Sequence, residues 1–236
     1  MILKTYVISH NRPQNTKWII MRLWLEDITF VVWEWQERLY KMFWAKKVVG
    51  WYGLMEARNF ALEDAFKNNA YCLQVSDDFT QWYENVIVDW KKKWKKIEIK
   101  KIVESVYKEL SDSDYYFAWL SPTTNALNYT WKDVSNHNFV VWDFIMFKPN
   151  PLRFDENIRL KEDYDMTCQH LKEYWGVVRC NKYSINFKHY DNAGGAVEYR
   201  NTKLEQKTIS QLKRKRWERI KDNPKRENEV ILRYKK

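Results

Sequence analysis

Two rhythms of apolar and polar positions organise the first third of the chain. Residues 4–9, KTYVIS, form a short apolar-rich run closed by HNRPQNT, where Asn and Pro mark a loop and Thr16 is placed to cap a helix starting near Lys17. A second run, ITFVVW at 28–33, is apolar without interruption and suits a strand covered on both faces; a third short strand is expected at Lys47–Val49. From Leu54 the period changes. Leu54, Ala57, Ala61, Leu62 and Ala65 share one helical stripe, and Asn68–Asn69 ends it before the strand-like run AYCLQV. Strand–helix alternation of this kind predicts an α/β fold with a mostly parallel, Rossmann-like central sheet flanked by helices, whose ligands bind outside the carboxyl ends of the strands. HNRP and SDD both fall at such ends.

The second half is less regular. Within residues 86–110 the run WKKKWKKIEIKKIVESVYKEL places Ile99, Ile102, Val103, Val106 and Leu110 on one stripe under a heavily basic outer face, so basic helices are expected around 91–101 and again at 213–221. That face is either a solvated surface or a phosphate-contacting patch, with Trp90 and Trp94 interleaved among the lysines. SPTTN reads as a loop and FVVWDFIMF (139–147) as a strand ended by KPNP. A helix is expected from near Asp163, with Tyr164, Cys168, Leu171 and Trp175 on one face and Gly176 as its stop. VVRCNKYSINFKHY is strand-like, DNAGGAVEYR a glycine loop, ISQLKRKRWERIKDNP a basic helix and NEVILRY a closing strand. Nothing marks a boundary, so residues 1–236 read as one domain with a basic helix–strand segment at about 203–236.

Composition narrows the partner class. A 45% hydrophobic share excludes a largely disordered chain, and 14 Trp with 15 Tyr exceed what a core usually asks for, so either some rings face a ligand or the aromatics are simply in surplus. Forty-one basic against 31 acidic residues leave a net charge of +10, which favours a polyanion such as nucleic acid or an anionic membrane surface. No stretch approaches the roughly 20 apolar residues of a spanning helix, and MILKTYVISHNRP has no secretory signature. A cytoplasmic protein without stable membrane association is therefore expected; its oligomeric state is not legible. Cys72, Cys168 and Cys180 lack CxxC spacing and read as buried reduced thiols.

Asp77 and Asp78 carry the sharpest chemical signal. Adjacent carboxylates at a strand end repel and raise each other's pKa, a difficulty that Mg²⁺ or Mn²⁺ would remove by taking one or two carboxylates and completing its shell with phosphate oxygens and water. The plainer alternative is that Asp78 caps a following helix. Glu162 and Asp163 sit at an expected helix N-terminus, where a carboxylate is favoured in its ionised form, and read either as a capping cluster or as functional acids.

The ordered set VISHNRP, EARNFAL, VSDDF, FDENIRLKEDYD and FKHYDN resembles the nucleotide-sugar-dependent glycosyltransferases of the GT-A fold, over roughly residues 4–200. Within that group it is most similar to the small phage and TET-associated enzymes that glycosylate hydroxymethylated DNA bases. The resemblance implies that His10, Asn11, Arg12 and Thr16 line a nucleotide pocket and that Arg58 and Asn59 pack beneath the nucleotide. It implies that Ser76, Asp77 and Asp78 match an Asp-any-Asp metal motif, with Ser76 where the family often has its first Asp, Asp78 the favoured ligand and His189 a third. It assigns Asp163, supported by Glu162, as the base of an inverting transfer of a hexosyl or pentosyl group. Gly194 and Gly195 would let backbone N–H groups approach the diphosphate, or form a plain turn, and Arg200 would neutralise it. The expectation is a metal-dependent transferase with a nucleoside-diphosphate sugar donor and DNA acceptor, in the host cytoplasm if phage-encoded. The alternatives are a cell-surface glycan acceptor and a non-catalytic nucleic-acid-binding protein.

Overall fold

The computed structural model describes residues 2–233 apart from Trp24, Glu26, 124–128, 130–131, 141–143 and 188–200. It opens with β1 (Leu3–Ile8), α1 (Thr16–Leu23), β2 (Ile28–Trp33), a short α2 (Glu37–Met42), β3 (Lys47–Trp51), α3 (Leu54–Phe66) and β4 (Tyr71–Ser76). The continuous apolar run predicted for 28–33 is β2, with matching bounds, and the stripe from Leu54 is the buried face of α3. These four strands are parallel in the order β3-β2-β1-β4. The chain steps outward from β1 to β2 to β3, then returns over α3 to β4 on the other side of β1. That reversal makes the gap between the carboxyl ends of β1 and β4 a topological switch point, where open α/β sheets place their ligands.

Beyond β4 the sheet becomes mixed. It continues through β9 (Phe144–Phe147, antiparallel to β4), β7 (Phe117–Ser121) and β10 (Val178–Phe187, parallel to β7), then a hairpin of β5 (Phe79–Val88) and β6 (Lys91–Lys96); β8 (Val134–Ser135) also pairs with β10. Among the described residues ten strands belong to this sheet. Alternation sends Val7, Leu73 and Val75 to one face, against Ile19 and Leu23 of α1 and Ile102, Val106 and Leu110 of α4 (Ile99–Ser111). Tyr6 and Cys72 point to the other, against Ala61, Leu62 and Ala65 of α3, Phe154, and Met166 of α5 (Glu162–Glu173). A third cluster joins Cys168 and Leu171 of α5 to Ile209 and Leu212 of α6 (Thr202–Arg216) and to the small hairpin of β11 (Ile220–Asp222) and β12 (Val230–Leu232). The three cysteines are free and buried, as expected. Among the described residues no helix is long and apolar enough to cross a membrane.

Three local expectations are corrected. Residues 91–96 are not helical: they are β6, paired with β5 from Tyr83↔Lys96 to Val88↔Lys91, and the helix begins only at Ile99. Asp89 and Trp90 both adopt left-handed backbone (φ 50° and 60°), which closes a two-residue primed turn, and an edge strand open to water tolerates a lysine run that on its own reads as a helix face. The basic segment at 213–221 is likewise divided, because α6 ends at Arg216 and 220–222 form β11. Helix α5 ends at Glu173, and the left-handed residue beyond it is Trp175 (φ 63°), not Gly176. Gly176 is needed for a different reason, since a Cβ there would collide with the Tyr115 ring.

Candidate active site

Loop 9–16 and turn 76–78 meet at the switch point. Pairing of β1 with β2 extends one step past Ile8, Ser9 N donating to Val31 O (3.0 Å), and the chain then turns sharply through Asn11 (φ 59°). Gln36 holds that turn by donating from Nε2 to Asn11 Oδ1 and accepting from the Asn11 amide (3.2 Å). The turn delivers Arg12 inward, where Nη1 lies 2.5 Å from Asp77 Oδ1 and 3.9 Å from Asp78 Oδ2. Ser9 Oγ donates to the other Asp77 oxygen, and Asn15 Nδ2 reaches the Asp77 carbonyl at 3.3 Å.

Proton counting orients this network. The single hydroxyl proton of Ser9 goes to Asp77, so at the 2.5 Å contact between Ser9 Oγ and Tyr40 Oη the tyrosine is the donor; Tyr40 Oη in turn accepts from the Arg12 amide at 3.1 Å. Burial pushes Tyr40 up to about 12, which keeps that proton in place. Asp77 is 2% exposed, and burial pushes its pKa up to about 6 against the opposing pull of Arg12 and Ser9, with Asp78 adding to the rise. Asp78 caps no helix, because β5 follows at once. Its Oδ1 accepts from Ser76 Oγ at 2.6 Å.

The donor set fits a divalent cation in one way. Both Asp77 oxygens are engaged by Arg12 and Ser9, whereas Asp78 keeps Oδ2 beyond hydrogen-bond distance of Arg12. Asp78 therefore fits as a single protein carboxylate, with remaining ligands drawn from phosphate and water, which Mg²⁺ and Mn²⁺ accept. Among the described residues no group of three His, Cys, Asp or Glu gathers to hold a metal by itself. His189, Gly194, Gly195 and Arg200 lie outside the described residues.

Around this centre, His10 stacks on Trp33 at the end of β2 (ring centroids 4.2 Å), and Trp35 stands edge-on to Trp33. Thr16 opens α1 fully buried, its hydroxyl without a hydrogen-bond partner; it is not the cap it was expected to be. Arg58 and Asn59 lie on the buried side of α3. Arg58 Nη1 donates to Gln74 Oε1 of β4 (3.2 Å), and Gln74 Nε2 donates back to the Arg58 carbonyl (3.0 Å). Asn59 clamps the Phe154 backbone through both its amide groups, at 2.8 and 3.0 Å.

Glu162 and Asp163 open α5, as predicted. Arg58 Nη2 lies 3.8 Å from Glu162 Oε1, so Gln74 and Arg58 link this acidic pair to β4 two residues before Ser76. Asp163 accepts a hydrogen bond from the Tyr164 amide (2.9 Å). The helix N-terminus was expected to favour its ionised form, but burial and then the adjacent Glu162 carboxylate outweigh it, and the Asp163 pKa stands well above the usual carboxylate range.

Ser9, Gln36, Tyr40, Gln74 and Trp33 were not among the sequence-level candidates. Ser9 lies inside VISHNRP and Trp33 ends a predicted strand, so position pointed to both. Tyr40 and Gln36 carried no signal, since their partners are 25–31 residues away along the chain. No family model matches the chain, and no curated protein matches it.

Proposed function

We propose that the protein is a GT-A-like, metal-dependent glycosyltransferase that moves a sugar from a nucleoside diphosphate to a hydroxyl on a hydroxymethylated base of DNA, in the cytoplasm. The observation that carries this reading is the meeting, at the β1/β4 switch point, of Arg12 with a buried carboxylate pair in which one oxygen of Asp78 remains open. The resemblance across residues 4–200 supplies the reaction class. Bound through Asp78, Mg²⁺ or Mn²⁺ would supply Lewis-acid stabilisation of the leaving diphosphate. Arg12, buried and held to Asp77, fixes the carboxylate pair in place, and the stacked His10–Trp33 pair offers a flat surface for the nucleobase. Asp163 acts as general base. Its raised pKa makes it a stronger base than an exposed aspartate, and it takes the hydroxyl proton as the new C–O bond forms at the anomeric carbon and the bond to the diphosphate breaks.

Two measurements test the reading. Calorimetric titration of UDP with and without Mn²⁺ should show metal-dependent affinity; affinity indifferent to metal sinks the metal site. Hydroxymethylcytosine DNA and unmodified DNA, incubated with a panel of nucleotide sugars and digested for mass spectrometry, should show sugar on the first alone. Donor hydrolysis without sugar on either DNA would shift the acceptor to a glycan. Asp78→Ala should abolish turnover while leaving the fold intact.

A further inference from the structure

The hairpin of β5 and β6 is the most basic element of the sheet, and the active-site chemistry makes no use of it. β5 starts directly after Asp78 and pairs with β10 only as far as Tyr183↔Glu84; beyond that, β8 takes the ladder position beside Arg179 and Cys180. Residues 85–94 therefore form a two-stranded ribbon at the sheet edge, steadied on one side where Lys92 Nζ donates to the Tyr129 carbonyl (2.6 Å). Lys91, Lys93, Lys95 and Lys96 are exposed, and among the described residues none of them has an ion pair. The ribbon's acidic residues are Asp89 and Glu84, and Glu84 is taken by Lys182 at 3.1 Å.

Protection of an edge strand against self-pairing accounts for lysines. It does not account for the tip. A primed turn favours Asn-Gly, yet its second central position holds Trp90, 92% exposed, in left-handed backbone that strains a bulky side chain. Glycine would relieve that strain. The ring has no stacking partner among the described residues, and Ile87 and Val88 beside it are also open to solvent. The geometry points to a docking ribbon for double-stranded DNA: a two-stranded β-ribbon fits the B-form major groove, four unpaired lysines meet its phosphates, and Trp90 packs against the bases or sugars at the tip. The deep, narrow groove of duplex RNA would not admit it. An anionic membrane is the weaker match, because the lysines run along the ribbon's whole length instead of forming a collar behind an apolar tip.

This inference deepens the proposed function and takes the DNA acceptor from it. Ten residues of β5 carry the tip roughly 30 Å from Asp78. With a base in the active site, the ribbon would grip the duplex about nine base pairs to one side.

Anisotropy of a labelled 30-base-pair duplex, titrated with the full chain across a salt series, tests it. Replacing Lys91, Lys93, Lys95 and Lys96 with Gln should lower the slope of log K against log salt by about 3 to 4. Trp90→Gly, which suits the turn, should retain or raise the melting temperature and weaken DNA binding by roughly tenfold. Nuclease footprints should be one-sided and shorten in both variants. Unchanged DNA affinity in both variants, or no DNA binding by the wild type, overturns the inference; hairpin-dependent binding to phosphatidylserine vesicles without DNA binding reassigns the surface to a membrane. Hairpin-dependent DNA binding with no sugar transfer would defeat the proposed reaction and leave the ribbon standing, and sugar transfer with hairpin-independent binding would do the reverse.

Discussion

Asp77–Asp78 and Glu162–Asp163 are both adjacent carboxylates beside one buried arginine, and the fold leaves them in different states. At the first pair the arginine is locked: Arg12 Nη1 lies 2.5 Å from Asp77, its own amide donates to Tyr40, and Tyr40 donates to Ser9, which donates back to Asp77. At the second, Arg58 stands off at 3.8 Å from Glu162 and has a second partner in Gln74, while Asp163 accepts from the next residue's amide. Burial raises an aspartate in both places. A neighbouring carboxylate adds to the rise in both, but at the first arginine and serine hold it to about 6, whereas at the second the Glu162 carboxylate outweighs each of the groups that oppose the rise, the Tyr164 amide first among them. A carboxylate clamped on both oxygens is suited to fixing geometry, and one left poorly compensated is suited to exchanging a proton.

The largest expected effect breaks the clamp. Arg12→Ala leaves Asp77 buried without its guanidinium and should cost about 3–5 kcal/mol of stability, whereas Arg58→Ala removes among other contacts the hydrogen bond to Gln74, the looser ion pair with Glu162 and the cation–π contact with Phe154, and should cost less, about 2 kcal/mol. Urea denaturation of both variants measures the difference. Equal losses would erase the distinction between the two pairs.

Next comes the proton. Asp163→Asn keeps size and helix position but cannot accept the hydroxyl proton, so turnover should fall by roughly 10² or more with donor binding retained. Loss of donor binding together with turnover would make Asp163 a binding residue, and near-normal turnover would indicate a mechanism without this base.

The parts of this comparison that could be read from sequence share a physical feature: each is local. ITFVVW declares a strand because both faces are covered, the stripe from Leu54 declares a helix through its own period, and Ser76–Asp78 stands out by position at a strand end. Contacts that give the first pair its rigidity are not local, since Asp77 finds Arg12 and Ser9 at separations of 65 and 68 residues. The lysines of β6 misled for the converse reason. Their helix-like polarity is local, and what makes them a strand is pairing with β5 through a turn whose Trp90 sits in a backbone conformation that sequence preferences disfavour.

A smaller effect follows from the raised Asp77. Between its ordinary 3.8 and about 6 the unfolded chain has released a proton that the folded chain still holds, so stability falls as pH rises through that window and is level above it. Asp163, also raised, works in the same direction, while Asp64 and Asp155 are lowered by their lysine and hydrogen-bond partners and work in the opposite one. The difference between wild type and Asp77→Asn isolates the first contribution. It should shrink the fall seen by chemical denaturation between pH 4 and 6, and identical pH profiles would show that Arg12 and Ser9 fully offset burial.

The smallest change asks what the first site holds ready for a ligand. Thr16 is 0% exposed, and its hydroxyl has no hydrogen-bond partner, a loss of hydration that folding does not recover. Thr16→Val keeps the branched shape and removes the polar atom, so the ligand-free protein should gain about 1 kcal/mol. If that hydroxyl is kept for the nucleotide, the same variant should bind UDP several-fold more weakly, separating stability from affinity at one atom. A stabilised variant with unchanged UDP affinity would remove Thr16 from the pocket and leave Asp78 as the side chain of this site that meets the donor. A destabilised variant would mean that the hydroxyl is hydrated in solution, and the clamped pair would then lie closer to water than its burial implies.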